Sequence, residues 1–386
     1  MFNACDNIFA SLHSDYERLE ALKETEFYIA PTSYVIGSQY RPRIQKNKIV
    51  MSHELDNDQY ISIKQVLKHF LELPGYFDTI ISNLEHLSHT DEPFSNVVQG
   101  EMWKEKVAKH FSGKTVLPLV FFIDDMDPDN ITGSHDGHHK LEALYYNISC
   151  VPQDYVSKLE NTFLACLFLS KCDNLGIHSI CGLSEGFNAN YSCRMCKHHR
   201  NEIAALTSLD INKLRTVQNY ANDVLLQDLS MTGIKEKCVW DDIPSFSFVQ
   251  SITFDIMHDL LEGVCGYDLA LILFDLIYFS LETLNNRIVY FDYGPIESSN
   301  AVPQIKKEHL ITGKLRFSSS EMLCFFRYFG LMLGDLVPED TESWHLYLKL
   351  KSIVDIVTTP YVNLRSLDYL NILISEHHET YLAVFP

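Results

Sequence analysis

Positive charge is scarce in this chain: 31 Lys and Arg stand against 51 Asp and Glu, a formal net charge of -20. A balance of that sign excludes simple electrostatic adhesion to nucleic acid or to an anionic membrane, so any such contact has to use a local basic patch or bound metal. No apolar run reaches the roughly 20 residues needed to span a bilayer. The most apolar window, LALILFDLIYFSL (269 to 281), is interrupted by Asp275 and reads as a buried helix, which predicts no membrane partner. The opening MFNACDNIFASLHSDYERLE lacks the basic start and apolar run of a secretory signal, which predicts an intracellular protein. Regular cysteine spacing is missing too, so the ten cysteines read as reduced thiols, some of them core residues such as Cys166, with metal binding the main functional exception. Internal repeats and low-complexity tracts are absent. What remains is a globular composition: 386 residues at 46% hydrophobic content can bury a large core, in two or three domains or in one domain carrying insertions.

Leu12, Tyr16, Leu19 and Leu22 recur at helical spacing and predict an amphipathic helix over 11 to 29. The stretch after it holds two prolines and the densest basic cluster, Arg41, Arg43, Lys46 and Lys48, and reads as a loop or linker and a candidate nucleic-acid contact. Residues 61 to 88 read as two helices broken at Leu73-Pro74-Gly75, with a third near GEMWKEKVAKHF. The character changes at 115, where TVLPLVFFIDD has the continuous apolar run of a buried central strand that delivers Asp124 and Asp125 at its end. A strand is expected at 141 to 152, a strand or equally a helix at 161 to 171, and helices near 201 to 228, over 254 to 284, at 318 to 335 and at 342 to 358.

Three groupings could carry chemistry. In SCRMCKHHR, Cys193 and Cys196 have the spacing that lets two thiolates bind one zinc ion; His199, Cys238 and His258 are the candidates to complete the tetrahedron, against the alternative of two unligated cysteines in a turn. Asp124, Asp173 and Glu321 come from separate elements and could hold two magnesium ions about 3.5 to 4 Å apart for in-line displacement at phosphorus, in DNA or in a small phosphate ester. For Glu321 a helix-start carboxylate is the alternative. In SITFDIMHDLLEGV, helical periodicity puts Asp255, His258 or Asp259, and Glu262 on one stripe, which is either a metal site or a solvated helix start. His135, His138 and His139, between glycines, fit a turn between strands.

Taken together, NVVQGEMWKEKV, LPLVFFIDDMDPDNITGSHDGHHKLEALYYNIS, DNLGIHSICGLSEGFNANYSCRMC, FDIMHDLLEGV and SSSEMLCFFRYFGLMLGDLVPEDTESWHLYLKLKSIVDIV resemble the animal relatives of the CACTA (En/Spm-like) DDE transposases, over most of the chain. That resemblance implies an α/β fold with a ribonuclease H-like core over 113 to 386, interrupted by a helical, zinc-containing insertion at 185 to 310 and preceded by a helical accessory region at 1 to 112. It implies Asp124, Asp173 and Glu321 as catalytic acids holding Mg2+ or Mn2+, zinc at Cys193 and Cys196 with Cys238 and His258, DNA as partner, a nuclear location, and allows a homo-oligomer. The 255 to 262 face would then complete the zinc site or brace the acidic centre. This chain departs from the pattern in two places: NTFLACLFLSK runs directly into CDNLG, without the helix and apolar strand expected before the second acid, and the sequence stops at YLAVFP where continuation is expected. The two departures predict a truncated, internally deleted and inactive descendant: the missing segment removes the strand that positions Asp173, and a carboxylate displaced by about 1 Å can cost about a hundredfold in rate. A domesticated, non-catalytic zinc protein that binds nucleic acid or chromatin through Arg41 to Lys48 and Arg194 to Arg200 is the alternative.

Overall fold

Strands β1 (Thr32–Gln45), β2 (Lys48–Tyr60), β3 (Leu119–Met126), β4 (Leu141–Ile148) and β5 (Phe163–Leu169) form one sheet in the order β1-β2-β5-β4-β3, with every neighbouring pair antiparallel. The computed structural model describes residues 14–25, 27–45, 48–126, 141–169, 176–186, 188–276 and 278–386. The architecture is α/β, this one sheet accompanied by many helices. Two compact units divide it: Met1–Asp91 with Asn96–Ile177, and Glu92–Ser95 with His178–Pro386. The boundary expected at 112/113 falls inside the first unit, because β1 and β2 share a sheet with β3 to β5.

In the first unit, helix α1 (Asp15–Lys23) begins at Ser14, whose side chain and that of Glu17 form a capping box. Helices α2 (Ile63–Leu71) and α3 (Tyr76–His89) separate at Pro74 and Gly75, as their sequence predicts, and α4 (Glu101–His110) follows. Ile80, Leu84 and Leu87 recur at i, i+4 and i+7 along α3, and this stripe packs with Val98, Ile148, Cys150 and Val151 as the unit's core. Buried Asn161 joins it by bonding both the N–H and the C=O of Ile148.

Two expectations are corrected here. The stretch read as a loop or linker is the long β1–β2 hairpin, and the N-terminal region is therefore not wholly helical. Pro42 is compatible with β1 because β1 is an edge strand, where a missing outward N–H costs no ladder bond. The strand read as central is also an edge: among the described residues β3 pairs only with β4, and Val120 and Phe122 remain 37% and 40% exposed. An apolar run marks a strand buried on both faces in a parallel sheet, but this sheet is antiparallel and leaves β3 partly uncovered.

The second unit is helical: α5 (Val217–Leu226), a π-helix (Ile256–Val264) that continues into α6 (Cys265–Asp275), then α7 (Leu281–Tyr290), α8 (Ser319–Leu333), α9 (Glu342–Val357) and α10 (Leu364–Val384). Met322, Phe325, Phe326, Phe329 and Leu333 follow helical periodicity on α8 and are essentially fully buried. Of these, Phe326 and Phe329 meet Trp344 and Tyr347 of α9 at ring separations of 4.8 to 6.0 Å. The Tyr347 hydroxyl is satisfied in this core, donating to the Phe326 carbonyl and accepting from the Gly330 N–H. No helix among the described residues is long and apolar enough to cross a membrane.

Candidate functional site

The Cys193-x-x-Cys196 turn is the most organised chemical feature of the second unit. The Cys193 sulfur accepts backbone N–H groups from Met195 and Cys196, both at 3.3 Å, an arrangement that stabilises negative charge on sulfur. The turn is held against residues 213 to 215 by Lys197 N–H to Lys213 C=O at 2.8 Å and Arg215 N–H to Met195 C=O at 2.9 Å. Arg215 lies beneath it, its side chain 1% exposed, donating to the carbonyls of Cys193 (3.2 Å) and Thr232 (2.9 Å). Asp223 on α5 faces Arg215 at 3.5 Å and Lys197 at 2.8 Å. Burial pulls the guanidinium below the usual arginine range, with Asp223 opposing. Burial likewise raises the Cys196 thiol to about 11, the His198 N–H working against it.

The other proposed zinc ligands are engaged elsewhere. The Cys238 thiol meets Cys181, both buried. Each thiol is the largest influence on the other, pulling Cys238 down to about 7 and pushing Cys181 up. What brings them together is Gly182, at a φ of +66°, where a Cβ would fall 2.2 Å from the Glu236 carbonyl oxygen; only glycine permits that approach. The His199 ring accepts the Asn201 N–H and caps a short helix. His198, which sequence reasoning did not single out, is 5% exposed; its Nδ1 lies 3.4 Å from Glu202 and its Nε2 has no partner among the described residues. No group of three or more His, Cys, Asp or Glu that could hold a metal ion occurs among the described residues. The donors present fit half a thiolate site.

Each acid of the 255 to 262 motif has its own local partner. Asp255 caps the π-helix, accepting from Met257 N–H at 2.8 Å and His258 N–H at 3.3 Å, while its other oxygen bonds His258 Nδ1 at 2.6 Å. That contact to the imidazole is the main cause of its depressed pKa. Asp259 makes an ion pair with Arg194 of the cysteine turn and accepts the Asp255 N–H. Glu262 accepts both the N–H (3.1 Å) and the hydroxyl (2.6 Å) of Ser319, at the start of α8. The motif thus ties the cysteine turn, the π-helix and α8 into one body. Gly263 is required within it, since a Cβ there would lie 2.8 Å from the His258 carbonyl oxygen. Gly263→Ala should lower stability by about 1 to 3 kcal/mol, the usual cost of overpacking, measurable as an earlier midpoint in urea unfolding.

The acidic triad is distributed as follows. Asp124 is exposed near the end of β3, opposite Ala143, in the first unit. Glu321 is in the second unit at the third position of α8, where it closes a capping box with Ser318: the Ser318 N–H donates to its carboxylate at 2.8 Å, and its own N–H donates to the Ser318 hydroxyl at 3.3 Å. Asp173, and His135, His138 and His139, lie outside the described residues. No protein-family model matches the chain, and no curated protein matches it.

Proposed function

We propose that this chain is a transposon-derived protein of DDE-transposase ancestry whose DNA-cutting activity has degenerated. In this reading the sheet is the remnant of a ribonuclease H-like core, and residues 185 to 310 are its helical, zinc-containing insertion. Asp124, Asp173 and Glu321 are the ancestral acids, and Mg2+ or Mn2+ held by them would activate a water or hydroxyl for attack at a DNA phosphate. The observation that carries the loss of cutting is the engagement of Glu321, whose carboxylate serves the N-terminus of α8. The edge position of β3 adds to it: a catalytic acid has to be held in place by rigid supporting structure, and among the described residues β3 has a strand neighbour on one side.

A second reading, a domesticated nuclear protein that binds nucleic acid or chromatin without cutting, is favoured by the Cys193–Cys196 turn. Its two N–H···S bonds converge on the Cys193 sulfur three residues from Cys196, and the Nε2 of His198, two residues further on, has no partner among the described residues. Zinc there would cross-link the turn and serve stability rather than chemistry.

One preparation tests both. The chain is expected to leave supercoiled DNA uncut when Mg2+ or Mn2+ is added, while carrying zinc that Cys193→Ser with Cys196→Ser removes. Metal-dependent nicking that disappears in Asp124→Asn and Glu321→Gln would overturn the degenerate reading; a zinc-free chain would overturn the second.

A further inference from the structure

Cys181 and Cys238 meet inside the second unit, away from solvent. They are 4% and 1% exposed, both are free thiols, and they belong to one buried cluster with Leu183, Tyr220, Ile234 and Phe248. Backbone hydrogen bonds hold the two stretches that carry them side by side. The Gly182 carbonyl accepts the N–H groups of Lys235 (2.7 Å) and Glu236 (3.2 Å), the Ser184 N–H donates to the Gly233 carbonyl at 2.9 Å, and Leu183 and Ile234 form an antiparallel bridge. Cys238 is fixed from a third direction by its own N–H, which donates to the Tyr220 hydroxyl of α5 at 2.9 Å.

This pair differs in kind from the Cys193–Cys196 turn. There the two cysteines are half-buried and three residues apart, so a bond between them would tie little of the chain. Cys181 and Cys238 are far apart in sequence: 238 minus 181 is 57 residues, and Cys193, Cys196, Arg215 and Asp223 all lie between them. A cross-link here would close that whole stretch into a loop, and long loops lose the most conformational freedom when closed.

We propose that Cys181 and Cys238 are a redox modification site, a dithiol that hydrogen peroxide converts reversibly to a disulfide in the folded chain. Two thiols and one peroxide give one disulfide and two waters. Cys238 is the attacking sulfur, because the contact with Cys181 favours its thiolate. Its thiolate attacks a peroxide oxygen and the O–O bond breaks; the departing hydroxide takes up the thiol proton as the first water, leaving a sulfenic acid. The Cys181 sulfur then attacks the oxidised sulfur, and its proton leaves with the sulfenic hydroxyl as the second water. Two electrons pass from the sulfur pair to the peroxide. Contact between the sulfurs makes the second step intramolecular and fast, so oxidation is captured as a disulfide before it advances to a sulfinic acid. A dithiol reductant restores the pair by exchange. The site depends on neither a transposase ancestry nor zinc in the cysteine turn.

The test uses the full chain, reduced, freed of reductant and exposed to about one to ten equivalents of hydrogen peroxide, then blocked with N-ethylmaleimide in urea, digested without reductant and mapped by mass spectrometry. The expected product is a peptide pair joined through Cys181 and Cys238, lighter than the two reduced peptides by about 2 mass units and separated again by dithiothreitol. It should exceed any other cysteine pairing at least about tenfold, because these sulfurs are presented to each other. Chain oxidised in urea, where that contact is gone, should scatter its disulfides. Amide exchange over 182 to 237 should slow in the oxidised chain and recover on reduction. Cys193→Ser with Cys196→Ser should leave the link in place, whereas Cys181→Ala or Cys238→Ala should abolish it; mapping of the unaltered chain decides the matter even where a variant fails to fold. Both thiols still open to maleimide after peroxide, a sulfinic or sulfonic acid at either one without a link, a predominant link between Cys193 and Cys196, or the same preference for the 181–238 link in urea would each overturn the proposal.

Discussion

Replacing Arg215 by methionine should destabilise the second unit by about 2 to 6 kcal/mol, at about 1 to 3 kcal/mol for each of two buried acceptors left without a donor. Arg215 touches three groups that are awkward to leave alone in the interior: the carbonyls of Cys193 and Thr232 and the carboxylate of Asp223. Methionine fills much of the space but donates nothing. Asp223 keeps Lys197, so its charge is not abandoned, whereas the two carbonyls are deprived of a donor at about 1 to 3 kcal/mol each. Adding Asp223→Leu should therefore fail to restore stability. Arg215→Lys should fail as well, because an ammonium cannot span the positions that the guanidinium fork reaches. Hydrogen exchange over 193 to 232 and urea unfolding are the measurements. If the double replacement recovers the stability of the unaltered chain, the two carbonyl bonds contribute nothing and Arg215 is not what supports the cysteine turn.

The cysteine turn itself was legible in the sequence, because Cys-x-x-Cys is a local pattern. Its support was not: Arg215 lies 19 residues beyond Cys196, in a polar stretch with nothing to mark it, and acquires its role only through burial. The motif at 255 to 262 was legible as a concentration of charge and misleading in geometry. Helical periodicity converges those side chains on one stripe, but the segment is a π-helix, whose wider turn follows i to i+5 spacing. Asp255, Asp259 and Glu262 accordingly serve a helix cap, the cysteine turn and the start of α8. The helices at 63, 76, 101, 319 and 342 were readable because their apolar period and their caps or breakers agree. The β1–β2 ribbon was hidden by two prolines and a basic cluster, which mark a loop in most contexts, and its alternation becomes informative only once the register is known.

The opposite response is expected from the buried pair between α6 and α10. His377 Nε2 and Asp268 Oδ2 lie 3.0 Å apart, with side chains 3% and 9% exposed, yet the two atoms are not aligned as a hydrogen bond and neither has another partner among the described residues. Two polar groups buried without an aligned hydrogen bond rarely repay their desolvation, so leucine at both positions should be neutral or stabilising by about 1 to 4 kcal/mol. Either single change should instead cost about 3 kcal/mol or more, since it leaves the other polar group buried without its neighbour. Asp268 is surrounded by Cys265, Tyr381 and His378, whose ionisation it influences, so a change of sign between single and double replacements cannot be assigned to a surface effect. Thermal melting of the four chains at pH 7 decides it. A double variant that falls as far as the singles would mean that the pair is net stabilising, and that α10 is fastened to the helical core by this polar contact as well as by the packing of Leu373 and Tyr381.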